Sequence, residues 1–188
     1  FSSVQNSVNK TKFTESDMWD CPVPTCTRIM DIVLVVDESG SIGTSPTNCT
    51  GRRPRVCHNP SEWSQFITFC KSIAGSYQLG SRNSTIGAVF FSERARSISA
   101  LTGSYSDFVS RINTSPVGSS TCLGCGIRLG RTLFDTPVAG REDLNPSRVV
   151  IVMTDGNPNV WTWGYLGEAQ YLRDVYGALI IGIGIGTD

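Results

Sequence analysis

The chain has a single histidine, His58, and equal numbers of basic and acidic residues, 16 each, for a formal net charge of zero. One histidine excludes a His-rich metal cluster. No Ser/His or Cys/His catalytic pair can be argued from it. The absence of a basic excess argues against nucleic acid as the partner. No phosphate loop of the form Gly-x-x-x-x-Gly-Lys-Ser/Thr occurs. Gly182, Gly184 and Gly186 alternate within an apolar run that no helix follows, which is the wrong context for a dinucleotide fingerprint. Together these absences lead us to expect a protein that is not an enzyme. The longest apolar run, Ala178 to Gly184, is far short of the ~20 residues of a membrane helix, so any anchor is expected outside this segment. No charged-then-apolar leader opens at Phe1, and the numbering is expected to start after processing.

What is present is more telling. Seven cysteines among 188 residues are many for a reducing compartment and few for a disulfide-built miniature. Four Asn-x-Ser/Thr triplets, at Asn9, Asn48, Asn83 and Asn113, fall in expected loops and flanks and are glycosylation candidates. With the cysteines they point to a secreted or cell-surface protein.

Residues 1–29 are polar and end in Cys21-Pro22-Val23-Pro24-Thr25-Cys26, which cannot be helical and reads as a stapled lead-in. Residues 30–188 alternate strand and helix patterns. Ile32 to Val36 is a continuous β-branched and Leu run, the mark of a strand buried on both faces. Ser61 to Tyr77 carries Trp63, Phe66, Ile67, Phe69, Cys70 and Ile73 at helical spacing. Strands are expected at 85–91, at 96–101 (more alternating, hence an edge), at 148–153 and at 178–185. Helices are expected at 105–112, 122–134 and 166–175. This order predicts an α/β fold with a doubly wound, mostly parallel sheet flanked by helices and one antiparallel edge strand. Such a sheet would usually continue with a further helix and strand, and this continuation is expected to be missing here.

In an open parallel sheet the working end is the carboxyl end of the central strands. Two strands end there in aspartate, Asp37 and Asp155. Asp37-Glu38-Ser39-Gly40-Ser41 offers one carboxylate and two hydroxyls on alternate residues, so all three can turn to one point, as hard cations require. Thr121 stands before the helix beginning at Cys122, either as a fourth oxygen donor or as a plain N-cap. The aspartates have their own plain reading as turn residues. It is the full order that is specific: buried strand, Asp-x-Ser-x-Ser, helix, Thr before a helix, buried strand, Thr-Asp-Gly.

On these residues the chain, over about 30–188, resembles the von Willebrand factor A family, which includes integrin I domains, matrix proteins and apicomplexan surface adhesins. The resemblance implies a metal-ion-dependent adhesion site at Asp37, Ser39, Ser41, Thr121 and Asp155. It implies Mg²⁺ there, with Mn²⁺ or Ca²⁺ as substitutes, held directly by the Ser and Thr hydroxyls and directly or through water by the aspartates. It further implies a protein partner whose Asp or Glu completes the shell. The expected function is therefore cation-dependent extracellular adhesion or protein recognition. The alternative is a structural module of a matrix or filament, packed against other domains or copies, with the metal site structural or idle.

An insert at about 43–60 follows the first motif and departs from the family pattern. Its Arg52, Arg53 and Arg55 either steer an acidic partner or are solvated loop residues. Cys49 and Cys57 in the insert, and Cys21 with Cys26, are disulfide candidates. Cys122 and Cys125 form either a local disulfide or a pair of buried thiols. Cys70, on an apolar helical face, reads as the unpaired one. Trp161 and Trp163 follow the second aspartate and are either partner contacts or packing.

Overall fold

The computed structural model describes residues 28–42, 60–136, 138–141, 143–155, 158–162 and 164–184. The lead-in with Cys21, Cys26 and Asn9 lies outside these residues. So do the insert residues Asn48, Cys49, Arg52, Arg53, Arg55, Cys57 and His58, and Trp163.

Among the described residues five strands and four α-helices follow in the order β1 (Met30–Asp37), α1 (Pro60–Gly75), β2 (Thr85–Phe91), β3 (Ala95–Thr102), α2 (Tyr105–Ile112), α3 (Leu123–Thr132), β4 (Ser147–Thr154), α4 (Gly164–Tyr176) and β5 (Leu179–Gly184). The sheet runs β3-β2-β1-β4-β5. β1 pairs parallel with β2 and β4, β4 pairs parallel with β5, and β3 lies antiparallel on β2. This is the expected doubly wound sheet with one antiparallel edge.

The central strands are apolar on both faces because both faces are covered. Ile32, Leu34 and Val36 of β1 pack with Trp63, Phe66, Ile67 and Cys70 of α1. Val33 and Val35 pack on the other side with Ile127 of α3 and Leu172 of α4. Phe69, read with the apolar face of α1, is instead 41% exposed, because its spacing turns it past the sheet. The 122–134 helix is shorter than expected and passes into a 3₁₀ turn at Leu133–Asp135. β5 is the second edge, and its Leu179 and Ile181 are exposed.

The seating of α3 sets the position of Thr121. A Cβ on Gly126 would come within 2.6 Å of Phe91, and one on Gly130 within 2.8 Å of Val35. Only glycine lets this helix settle so close to β1 and β2, which brings its amino end to the carboxyl end of the sheet.

At the opposite end of β1, Asp31 is buried against Arg141, whose Nη2 donates to its Oδ1 at 2.7 Å, and against the Thr85 hydroxyl, also at 2.7 Å. Arg141 further donates to the Asn83 carbonyl at 2.6 Å. A buried arginine and a buried carboxylate, separated by 110 residues in sequence, thus close the amino end of the sheet.

Candidate metal centre

Three loops meet above the carboxyl ends of β1 and β4. The first is the turn after β1. Asp37 is fully buried; its Oδ1 accepts the Ser39 backbone N–H at 2.8 Å, and its Oδ2 accepts the Thr154 hydroxyl at 2.6 Å. This turn is tight because the aspartate folds back onto the backbone two residues on. It places the Ser39 and Ser41 hydroxyls 3.0 Å apart, and Ser41 donates to Asp155 Oδ1 at 2.9 Å. Asp37, Ser39, Ser41 and Asp155 are thus drawn together into one cluster of oxygens.

Thr121 belongs to the second loop, which is tied to both others through backbone. Gly40 N–H donates to Ser119 O at 2.9 Å, and Gly118 N–H to Glu38 O at 3.0 Å. From the third loop, the Asn159 and Val160 amides donate to Thr121 O, and Asn159 Oδ1 accepts the Thr121 N–H at 2.8 Å. Thr121 is buried. It is not the helix cap: the N-cap of α3 is Cys122, with no side-chain capping bond. Cys122 and Cys125 are joined as a disulfide across the first turn of α3, and the Cys122 amide donates to Ser92 O at 2.7 Å.

Burial pushes the Asp37 carboxyl above the usual carboxylate range, hydrogen bonds from Thr154 and Ser39 oppose this, and the neighbouring Asp155 charge adds to it. A divalent cation between the two carboxylates would offset both penalties, because it neutralises the buried Asp37 and its half-buried neighbour Asp155 together. The donor set fits such a group: two carboxylates and hydroxyls, all hard oxygens, suited to Mg²⁺, Mn²⁺ or Ca²⁺. Among the described residues no three His, Cys, Asp or Glu gather closely enough to hold a metal by themselves. A cation held between these two carboxylates would therefore need the serine hydroxyls as well.

Two residues absent from the sequence reading hold the loops. Glu38, beside Asp37 and 1% exposed, receives Arg96 of the edge strand at 2.6 and 2.9 Å. The same carboxylate accepts the Val117 N–H at 3.2 Å, and Arg96 reaches Ser115 O at 3.0 Å. Glu38 thereby fastens the stretch leading to Thr121 onto the end of β1. Asn159 is the other. A charged residue directly after a fully apolar strand was the available signal for Glu38, and a second Asn in the turn after Thr154-Asp155 was the signal for Asn159.

Of the remaining expected residues, Trp161 lies beside this centre, 45% exposed. Asn113 is exposed at the carboxyl end of α2, whereas Asn83 is half-buried in the turn before β2. Cys70 is a free, buried cysteine whose thiol burial pushes up to about 12, which leaves it inert core.

The family model for the von Willebrand factor type A domain matches residues 31–188. A mouse (Mus musculus) collagen alpha-5(VI) chain is 28% identical over 129 residues, covering 67% of this chain and 4% of the collagen. Among solved structures, proximal thread matrix protein 1 from the mussel byssus, in a form with a zinc-occupied MIDAS motif, superposes with a TM-score of 0.65 at 27% identity. It covers 85% of this chain and 36% of the mussel chain. The manganese-loaded Plasmodium vivax TRAP protein shares the fold, with a TM-score of 0.59 at 22% identity over 87% of this chain and 60% of its own. This chain thus spans a small part of the collagen and about a third of the mussel protein.

Proposed function

Because the chain belongs to the von Willebrand factor type A domain family, we propose that it is an extracellular recognition module, not an enzyme, that binds an acidic residue of a protein partner through a divalent cation. The observation that carries the reading is the cluster of Asp37, Ser39, Ser41 and Asp155 oxygens, with Thr121 bonded to the loop after β4 and its neighbours Gly118 and Ser119 bonded to the turn after β1. A mussel relative at 27% identity is known in a form with a zinc-occupied MIDAS motif, which supports the cation reading, and the kinship to a collagen chain and a thread matrix protein supports a matrix or cell-surface setting.

In this reading Ser39, Ser41 and Thr121 supply neutral hydroxyl ligands, and Asp37 and Asp155 supply the negative charge. When bound, a cation such as Mg²⁺ supplies an electrophilic position for the partner's Asp or Glu. The chain's own part is to hold those oxygens fixed. Asp37 locks the turn through the Ser39 amide, Glu38 and Arg96 hold the loop before Thr121, and Asn159 holds Thr121 itself. Having two carboxylates and not three or four leaves charge on the cation for an incoming one to satisfy. Trp161, Trp163, Arg52, Arg53 and Arg55 form the proposed partner-contacting rim. Secretion and glycosylation of the Asn-x-Ser/Thr sites belong to the same proposal.

The test is solid-phase binding of the domain to decellularised matrix in Mg²⁺ and in chelator, beside the Thr121→Ala variant. Binding lost in chelator and in the variant supports the cation bridge. Chelator-resistant binding in both favours the structural-module alternative, in which the site is occupied internally or idle.

A further inference from the structure

Trp161 is held in an unusual way for an exposed residue. Its backbone lies in the left-handed region, with φ of 49°, a conformation costly for a bulky side chain and retained where the surroundings enforce it. The surroundings do enforce it: the amide just before it is bonded to Thr121 O, and the indole is seated on two glycines. A Cβ on Gly124 would meet the ring at 2.8 Å and one on Gly164 at 2.1 Å. The helix start that follows Thr121 and the start of α4 are thus both hollowed to receive this ring.

The indole forms one wall of a notch of about 440 Å³, with Ala95, Cys125, Arg128, Leu129 and Thr132. Cys125, Arg128, Leu129 and Thr132 follow the i, i+3, i+4, i+7 spacing and form the outward stripe of α3. The notch begins within one turn of Thr121. Among the described residues that line it, the charged one is Arg128, whose guanidinium lies 5.9 Å from the indole centroid. Arg128 and Arg131 share a single carboxylate, Glu168, and Arg131 takes it at 2.8 Å while Arg128 stands off at 3.8 Å with 62% of its side chain exposed. One positive charge therefore faces outward beside an apolar floor.

We propose that this notch is the ligand's second seat: it takes an aromatic side chain of the partner against Trp161, Leu129 and Cys125, while an adjacent Asp or Glu of the same segment pairs with Arg128. The occupant follows from the walls. A rigid indole edge and a leucine favour an aromatic ring, and the outward guanidinium favours a carboxylate beside it. The inference rests on the cation-bridge reading, since the notch adjoins the metal centre, and it adds a side-chain preference that the cation alone cannot supply.

The test selects a phage-displayed random dodecapeptide library on the full chain in Mg²⁺. Synthetic versions of the enriched peptides are then measured by fluorescence polarisation against wild type, Trp161→Ala and Arg128→Gln, with and without chelator. The expected result is enrichment of an aromatic residue next to an acidic one. Kd should weaken roughly tenfold in Trp161→Ala and several-fold in Arg128→Gln. Acidic peptides with no aromatic preference, bound equally well by Trp161→Ala, would overturn the notch and leave the cation bridge standing. Aromatic peptides that bind in chelator but not to Trp161→Ala would support the notch and overturn the bridge. Failure of any peptide to enrich would also overturn the notch. Should the variant melt differently from wild type by circular dichroism, the Trp161 indole N–H resonance of the unaltered chain reads the same contact. A shift on adding peptide supports the proposal, and an unmoved resonance overturns it.

Discussion

Strand β1 carries a buried aspartate near each end, and the protein treats the two in opposite ways. At the amino end Asp31 meets a buried guanidinium, Arg141, and the Thr85 hydroxyl at 2.7 Å each. At the carboxyl end the described partners of Asp37 are the Thr154 hydroxyl and the Ser39 amide, and the charge of a second carboxylate, Asp155, acts on it. Both carboxylates accept hydrogen bonds, but among the described residues only Asp31 of the two is paired with a guanidinium. In the proposed reading Asp31 is a structural carboxylate paired for good, and Asp37 is one supplied with a hydroxyl and an amide and kept for a cation. Glu38, next to Asp37 in sequence, is paired with Arg96, so the chain does place an arginine at this end.

The largest effect should come from breaking the amino end. Asp31→Ala leaves Arg141 buried and uncompensated, and should cost about 3–5 kcal/mol of stability, measured by denaturant unfolding. The fraction still folded should bind cation as wild type does, because the two aspartates lie at opposite ends of the strand. A weakened cation affinity in the folded fraction would blur the distinction between the ends.

Asp37→Asn makes the opposite prediction. It removes a buried charge and its repulsion from Asp155, so stability of the metal-free protein should change by no more than about 1 kcal/mol. Cation affinity should fall at least ~100-fold. Destabilisation on the scale of Asp31→Ala would mean that Asp37 is a structural residue after all.

Glu38→Gln should act on the carboxyl end at one remove. Loss of the Arg96 pair loosens the stretch before Thr121 and should weaken cation affinity roughly tenfold, read by calorimetry. Unchanged affinity would assign the pair to edge-strand stability alone.

The smallest effect is in pH. The Asp37 carboxyl is raised in the folded chain above its ordinary 3.8, so the folded state holds this proton more tightly than the unfolded one. That contribution to stability is fully present below the ordinary carboxylate range and is lost as pH rises through the raised value. The metal-free protein should therefore lose a little stability across that window. Saturating Mg²⁺ should cancel the loss, since cation binding requires the deprotonated form. Melting curves in chelator and in Mg²⁺, with Asp37→Asn as the flat control, check the sign.

The two ends also differ in how far they could be read from sequence. The carboxyl end was legible because its signal is local: Asp37, Ser39 and Ser41 sit in five consecutive residues after an unbroken apolar run, and Asp155 follows another. The central strands were legible for the same reason. The amino end was not, because Asp31 and Arg141 are 110 residues apart and nothing local marks a lone arginine as buried. The same separation hid the Glu38–Arg96 pair. Trp161 could be named, but the glycines that seat it lie on two different helices, and its left-handed backbone depends on the bonds that Thr121 makes to the residues just before it. Phe69 erred the other way: helical spacing grouped it with the apolar face, and only the path of α1 over the sheet turned it outward.

Titration of Mn²⁺ into chelator-stripped protein by calorimetry, with Asp37→Asn in parallel, puts the difference between the ends of β1 to its most direct test. The account predicts saturable one-site binding to the wild-type chain that disappears in the variant while its unfolding midpoint in chelator stays within a degree or two of wild type. Equal binding by both proteins, or no binding by a folded wild-type chain, would contradict the claim that this end of the sheet holds a cation.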